Sequence, residues 1–246
     1  GAAVDPETGV LYVPSLSSVM ALALGDDGKA IRGEAESEEI AGLSRLVPGP
    51  QGLPMFKPPY SRITAIDLNT GEQRATVDLG ALSGSTLVDI AIDGNTLYTL
   101  DASRAFRAIG INGDVLTVLN SLTLPSPAGN LFVGGGVAYA GADSSFQQGF
   151  STVDVRDPSK LALLSGPDAV NIAGGAFAAN GSGLGVAVGS LNGIGNVLHV
   201  VDVSDPTRTD RFVTQINLPA APRGLALANG LAFVADGTGG LQIVNY

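Results

Sequence analysis

An all-β fold built from a repeated unit is what this sequence predicts, and three observations carry that expectation. Short strands that end in an aspartate-type turn recur with a period near 45 residues. A second class of apolar strand, opened by a Gly or Asn turn, precedes them. Composition agrees: of 246 residues, 34 are glycine, 45% are hydrophobic and only 15% are charged, against roughly 25% charged in an average soluble domain. That balance suits buried strands joined by tight turns. Long amphipathic helices would need more Glu, Lys and Arg for their solvent side.

Gly9-Val10-Leu11-Tyr12-Val13 reads as the first strand of the second class. Residues 16–60 then interrupt the unit. This insert holds an acidic run, Glu34-Ala35-Glu36-Ser37-Glu38-Glu39, and a Pro/Gly stretch from Pro48 to Pro59. Val19-Met20-Ala21-Leu22-Ala23-Leu24 has the composition of a strand, and the rest reads as a long loop, a length that usually accompanies function or disorder. Ile63-Thr64-Ala65-Ile66-Asp67 is the first strand with an aspartate turn, Asn69-Thr70-Gly71. Arg74-Ala75-Thr76-Val77-Asp78-Leu79 follows as a fourth, outer strand.

The pattern then repeats. Val88-Asp89-Ile90-Ala91-Ile92, Gly175-Ala176-Phe177-Ala178-Ala179 and Gly224-Leu225-Ala226-Leu227-Ala228 read as innermost strands rich in small residues. The second strands are Gly94–Leu100, Gly136–Ala140, Gly185–Val188 and Asn229–Ala235. Third strands end at Phe106–Ile111, Ser151–Val155, Leu198–Val203 and Leu241–Tyr246, and Phe212–Leu218 is another outer strand. Aligned on the aspartate-type position, the third strands fall at Asp67, Gly110, Asp154, Asp202 and Asn245, in steps of 43, 44, 48 and 43. Four short strands per unit of this length, with glycine turns, mark a propeller blade.

The expected architecture is therefore a β-propeller of about five four-stranded blades, formed by residues 1–246 as one domain. The first blade carries the long insert. The last is expected to be incomplete, because Tyr246 closes a third strand. An N-terminal segment completing that blade is one reading; a chain cut from a longer one is the favoured expectation.

Two resemblances attach to these residues. Asp5-Pro6-Glu7-Thr8-Gly9-Val10-Leu11-Tyr12-Val13-Pro14-Ser15, the stretch from Gly49 to Tyr60, and Arg62 to Glu72 resemble the quinoprotein dehydrogenases, which use pyrroloquinoline quinone (PQQ). Val200-Val201-Asp202-Val203-Ser204-Asp205-Pro206 and Ala235-Asp236-Gly237-Thr238-Gly239-Gly240-Leu241-Gln242-Ile243-Val244 resemble LVIVD repeats, found mainly in exported bacterial and archaeal propellers. The first resemblance implies PQQ and calcium. The sequence departs from it in three ways: it has no tryptophan to sandwich the quinone, it continues the blade turn as Glu72-Gln73-Arg74-Ala75-Thr76-Val77 where the family has a blade-docking tryptophan, and it shows about five units where those enzymes have around eight.

Charge narrows the partners. The net charge is −10, the pI is about 4.4, and Lys29, Lys57 and Lys160 are the only lysines. A phosphate-backbone binder needs clustered cations, so no nucleic acid is expected, and an anionic lipid surface is disfavoured for the same reason. Cysteine is absent, which removes disulfides and thiolate metal sites. No apolar run reaches the ~18–20 residues of a membrane-spanning helix. With no signal segment in the sequence, any export signal is expected to have been removed or to lie upstream.

The candidate chemistry is sparse. Asp67, Asp154 and Asp202 recur at one blade position, which argues for fixing turns rather than for catalysis. His199, the only histidine, lies in an apolar strand with no Gly-x-Ser-x-Gly elbow in the sequence to pair with it. Lys57 reads as an exposed loop charge. Asp26-Asp27-Gly28 and Asp236-Gly237-Thr238-Gly239 carry oxygen ligands without EF-hand spacing and read as turns. So does Asn180-Gly181-Ser182, despite its glycosylation pattern, and Gly134-Gly135-Gly136 lacks the strand–loop–helix setting of a phosphate loop. No catalytic, cofactor-binding or metal residue is assigned. The expectation is a non-catalytic, exported, periplasmic or extracellular binding or assembly module with a protein or cell-surface partner, including itself. The alternative is a fragment or relative of a PQQ-dependent sugar or alcohol dehydrogenase. A carbohydrate-binding propeller would need repeated pockets between blades.

Overall fold

A computed structural model describes residues 2–16, 61–79, 86–126, 129–142, 148–167 and 172–246. These form five antiparallel sheets in sequence order, the blades of a β-propeller. The first is β1 (Ala3–Asp5), β2 (Val10–Leu16), β3 (Ser61–Asp67) and β4 (Gln73–Asp78). The second is β5 (Leu87–Asp93), β6 (Thr96–Asp101), β7 (Ala105–Asn112) and β8 (Val115–Thr123). The third is β9 (Leu131–Gly134), β10 (Val137–Gly141), β11 (Phe150–Asp154) and β12 (Ala162–Ser165). The fourth is β13 (Ala176–Ala179), β14 (Leu184–Leu191), β15 (Gly195–Asp202) and β16 (Phe212–Asn217). The fifth has three strands, β17 (Gly224–Ala228), β18 (Leu231–Ala235) and β19 (Leu241–Asn245). The innermost strands of successive sheets, β1, β5, β9, β13 and β17, touch in that order.

The register reproduces the period read from the sequence. The aspartate-type residue pairs with the first residue of the preceding strand in every blade: Val10 with Asp67, Thr96 with Gly110, Val137 with Asp154, Leu184 with Asp202 and Leu231 with Asn245. In the four complete blades a bulge against the outer strand falls two residues earlier, between Ala65/Ile66, Ala108/Ile109, Thr152/Val153 and Val200/Val201. Each bulge increases the local twist just before the turn.

Two inner strands, β1 and β9, had no clear sequence signal. Ala3–Asp5 lies inside the first sheet, against β2, so it does not supply a fourth strand to the fifth blade. The insert meets the first blade where Leu16 pairs with Ser61; residues 17–60 themselves, with Asp26, Asp27 and Lys57, lie outside the described residues.

Burial explains why the blades stack. Side chains alternate between the two faces of each sheet, and both faces of an inner blade are apolar. Four hydrophobic cores result, one between each pair of successive blades. Tyr12 and Ile63 meet Leu97 and Ile109; Tyr98 and Phe106 meet Ala138 and Val153; Tyr139 and Phe150 meet Phe177 and Val201; Val186 and Leu198 meet Ala232 and Val234. The third junction is the most aromatic: Phe177 stacks on Tyr139 at 4.5 Å and tilts against Phe150 at 4.7 Å, pairs worth about 0.5–1.5 kcal/mol beyond their buried area. Among the described residues no hydrophobic core joins the fifth blade to the first.

Near the start of the third and fourth blades the backbones approach too closely for side chains. A Cβ on Gly174 would strike the carbonyl oxygens of Gly149 and Ala142, and one on Gly141 would strike that of Gly174. The contact lets Gly129 donate its N–H to the Gly141 carbonyl at 2.7 Å and Asn130 donate to Gly175 at 3.3 Å.

Candidate functional site

The recurring carboxylates lie at one end of the blades and are engaged in the turns themselves. Asp67 Oδ1 accepts the Asn69 N–H at 2.8 Å. Asp202 Oδ1 accepts the N–H and hydroxyl of Ser204 at 2.9 and 2.6 Å, and its other oxygen meets Arg211 at 2.8 Å. Asp154 accepts the Arg156 N–H at 3.0 Å and forms an ion pair with the Arg156 guanidinium. Hydrogen bonds from the Arg156 side chain and backbone hold the Asp154 carboxyl down at about 2. Asp5, Asp157 and Asp205 make the same turn with the residue two positions on, at 2.9, 3.0 and 3.0 Å. The second blade differs. Its strands continue past Gly110 to a tight turn at Gly113 (φ +58°), so no carboxylate is needed there.

This end of the molecule also carries grooves between blades. The larger, about 880 Å³, lies between the third and fourth blades; Phe132 and Tyr139 contribute to its wall with Asp154, Arg156, Ser182 and Thr207. A smaller one, about 190 Å³, lies between the first and second and includes Tyr12, Arg74 and Asp114. The polar groups lining them are largely committed: Ser182 and Thr207 donate to Asn180 and Asp205 at 2.6 Å, and Arg74 pairs with Asp114 at 2.7 Å. Neither groove was legible in the sequence, because each forms only where turns from two blades meet. Asn180-Gly181-Ser182 is one of those turns, with Gly181 at φ +82°, and Gly135 and Gly136 make another at φ +64° and +78°.

His199 lies away from both grooves, fully buried in β15. Its Nδ1 accepts the Ala173 N–H at 3.2 Å, which leaves the proton on Nε2 to be donated to Gln215 Oε1 at 3.0 Å. Phe212 packs edge-on against the ring at 5.3 Å. Burial lowers its pKa, and the Gln215 hydrogen bond opposes that only in part. Both ring nitrogens are used, so this is a neutral structural imidazole rather than a base awaiting a substrate.

At the opposite end two buried aspartates close the second strands of their blades. Asp101 receives Ser103 Oγ at 2.6 Å, the Ala105 N–H at 2.9 Å and Arg107 Nη1 at 2.7 Å. Burial pushes its pKa up, but the Ser103 and Arg107 bonds outweigh that and the net shift is downward. Asp236 Oδ2 accepts the Ala220 N–H at 3.0 Å, while its Oδ1 has no hydrogen-bond partner.

Comparison with known proteins places these features in a family context. Residues 1–119 match the family model described as PQQ, the glucose/ethanol/alcohol dehydrogenase beta-propeller domain, and residues 193–209 match the LVIVD repeat. No curated protein matches the chain. Among solved structures it resembles the computationally designed Ika8 protein at 14% identity and TM-score 0.53, over 78% of this chain and 57% of that one. It resembles the computationally designed Ika4 protein at 11% and 0.51, over 72% and 99%. It also resembles Kuenenia stuttgartiensis hydrazine synthase at 15% and 0.54, over 70% and 49%. At such identities the likeness is one of fold, and the chain spans only about half of the first and third of these relatives.

The described residues do not fit PQQ and calcium. The sequence has no tryptophan to stack on the quinone. Among the described residues no group of three or more His, Cys, Asp or Glu is placed to hold a metal ion, and the blade-turn carboxylates are spent on their own loops.

Proposed function

We propose that this chain is a non-catalytic binding or assembly module, exported to the periplasm or cell surface of a bacterium or archaeon, that works through the faces of its blades. One observation carries the reading: among the described residues, large apolar side chains stay exposed on strands of every blade. They are Val4 in the first, Val115, Val118 and Leu119 in the second, Leu163 in the third, Phe212 and Val213 in the fourth, and Leu241 and Ile243 in the fifth. Exposed apolar patches of this kind mark interaction surfaces. The commitment of Asp67, Asp154 and Asp202 to turns, and of His199 to the core, supports the same reading.

The alternative, a PQQ-dependent sugar or alcohol dehydrogenase, draws on the family match over residues 1–119. Titrating the purified chain with PQQ and calcium by calorimetry, with dye reduction assayed on glucose and simple alcohols, decides between them. The module reading expects neither saturable heat nor turnover. Tight PQQ binding with dye reduction would overturn it.

A second reading, carbohydrate binding, gains from the grooves between the first and second and the third and fourth blades. Titration with mono- and oligosaccharides would support it only if Tyr139 or Arg156 substitutions abolished the binding.

A further inference from the structure

The third residue of the second strand is a tyrosine in three successive blades: Tyr12, Tyr98 and Tyr139. All three are buried. Between the second and third blades the phenol is occupied. The Tyr98 hydroxyl donates at 3.3 Å to the carbonyl of Val155, the residue just after the aspartate-type position of the next blade. Between the third and fourth blades the matching residue is Val203, and it lines the larger groove together with Tyr139. Tyr139 is 5% exposed, yet its hydroxyl makes no hydrogen bond among the described residues. Tyr12 repeats the pattern beside Ile111 in the smaller groove. A buried hydroxyl without a partner is unfavourable, and a ligand in the groove supplies one.

The larger groove is also firmly built. Both of its walls belong to blades that pack against a neighbour on each side. Phe177 of the fourth blade stacks on the Tyr139 ring. The Arg156 stem crosses Gly136 so closely that a Cβ there would lie 2.6 Å from its Cγ. Nε and Nη2 of Arg156 meet Asp154, which leaves the Nη1 protons to donate elsewhere. Ser182 and Thr207 give their own protons to Asn180 and Asp205, so their oxygens face the groove as acceptors only. Half-buried Phe132 adds an apolar wall.

We propose that this groove binds a neutral saccharide. Tyr139 and Arg156 donate to its hydroxyls, Ser182 and Thr207 accept from them, and Phe132 covers a C–H face. A sugar hydroxyl both donates and accepts, so it satisfies both sets of groups at once. An anion would face the lone pairs of Ser182 and Thr207, the Asp154 carboxylate and a chain of net charge −10. A cation would face Arg156. The volume, about 880 Å³, lies within the roughly 300–1,000 Å³ of small-ligand sites. This rests on the carbohydrate reading above and adds the charge class of the ligand and the groove that holds it.

An array of neutral and acidic oligosaccharides probed with the purified chain, followed by calorimetric titration of the bound glycans, tests it. Neutral glycans are expected to bind and acidic ones to be rejected. Tyr139→Phe keeps the ring and its stack on Phe177 and is expected to weaken binding about tenfold, the effect of one lost hydrogen bond. Arg156→Met is expected to weaken it at least as much. Tyr98→Phe, outside the groove, is expected to leave the affinity unchanged. Circular dichroism matching the unmodified chain checks that the variants fold. Affinity unchanged by Tyr139→Phe, or by Arg156→Met where the first variant does not fold, overturns the site. Binding of acidic glycans alone overturns the inference and leaves the carbohydrate reading standing, whereas binding of no glycan overturns both.

Discussion

Asp101 and Asp236 stand at the same place in their blades, and both are fully buried, yet only Asp101 meets a cation. Arg107 supplies it from β7. The matching residue in β19 is Gln242, whose amide turns instead to the Gly239 carbonyl at 2.7 Å. Removing one partner of a buried ion pair leaves an uncompensated charge, which costs about 3–5 kcal/mol. Arg107→Met should therefore lower stability by about that amount in urea unfolding. Gln242→Arg should act in the other direction, offering a donor to the unpartnered Asp236 Oδ1, and raise stability by about 1 kcal/mol or more. A neutral Arg107→Met would remove the ion pair from the account of the second blade.

His199 gives the chain a pH dependence in a window that no other histidine shares. Its folded pKa lies below the usual value of 6.5 because it is buried, so the unfolded chain takes up the proton more readily. Stability is complete above about pH 6.5 and falls as the pH drops toward the folded pKa. Unfolding midpoints measured from pH 8 to 5 should decline below 6.5, and His199→Gln should flatten that decline.

The turn carboxylates act lower on the scale. Asp154, held at about 2 by Arg156, contributes stability that is present above its unfolded value near 3.9 and is lost as pH falls through 2. Asp202, lowered chiefly by the Ser204 hydroxyl, adds in the same sense. Asp154→Asn and Asp202→Asn should each lower stability at about pH 7–8, where the ionised carboxylate contributes, and shallow the decline between about pH 4 and 2, so that variant and unmodified chain converge at the acid end.

Gly174 is the position least tolerant of a side chain. A methyl group there overlaps two carbonyl oxygens of neighbouring backbone rather than a flexible side-chain tip. Gly174→Ala should fail to fold or melt far below the unmodified chain. Gly181→Ala, in open space but at φ +82°, should cost only the roughly 1 kcal/mol of a left-handed non-glycine residue.

The period was legible in the sequence because its chemistry is local. An aspartate accepting N–H bonds two residues on leaves a mark in every complete copy but the second, and even there Gly110 keeps the register. The inner strands β1 and β9 were not legible: three and four residues, Ala-Val-Asp and Leu-Phe-Val-Gly, are too short to show alternation. The exposure of two apolar residues in β19 was hidden for a different reason. Leu241 and Ile243 read like Leu198 and Val200, since an apolar residue in a strand does not reveal whether a neighbour covers it. Asp236 likewise read as a plain turn, and only its burial and free oxygen set it apart.

The central claim, that the chain is a binding or assembly module rather than a quinoprotein dehydrogenase, is tested most directly by titrating the purified chain with PQQ and calcium in a calorimeter while following dye reduction with glucose and simple alcohols. The account predicts neither saturable heat nor turnover. Tight, saturable PQQ binding accompanied by dye reduction would contradict it.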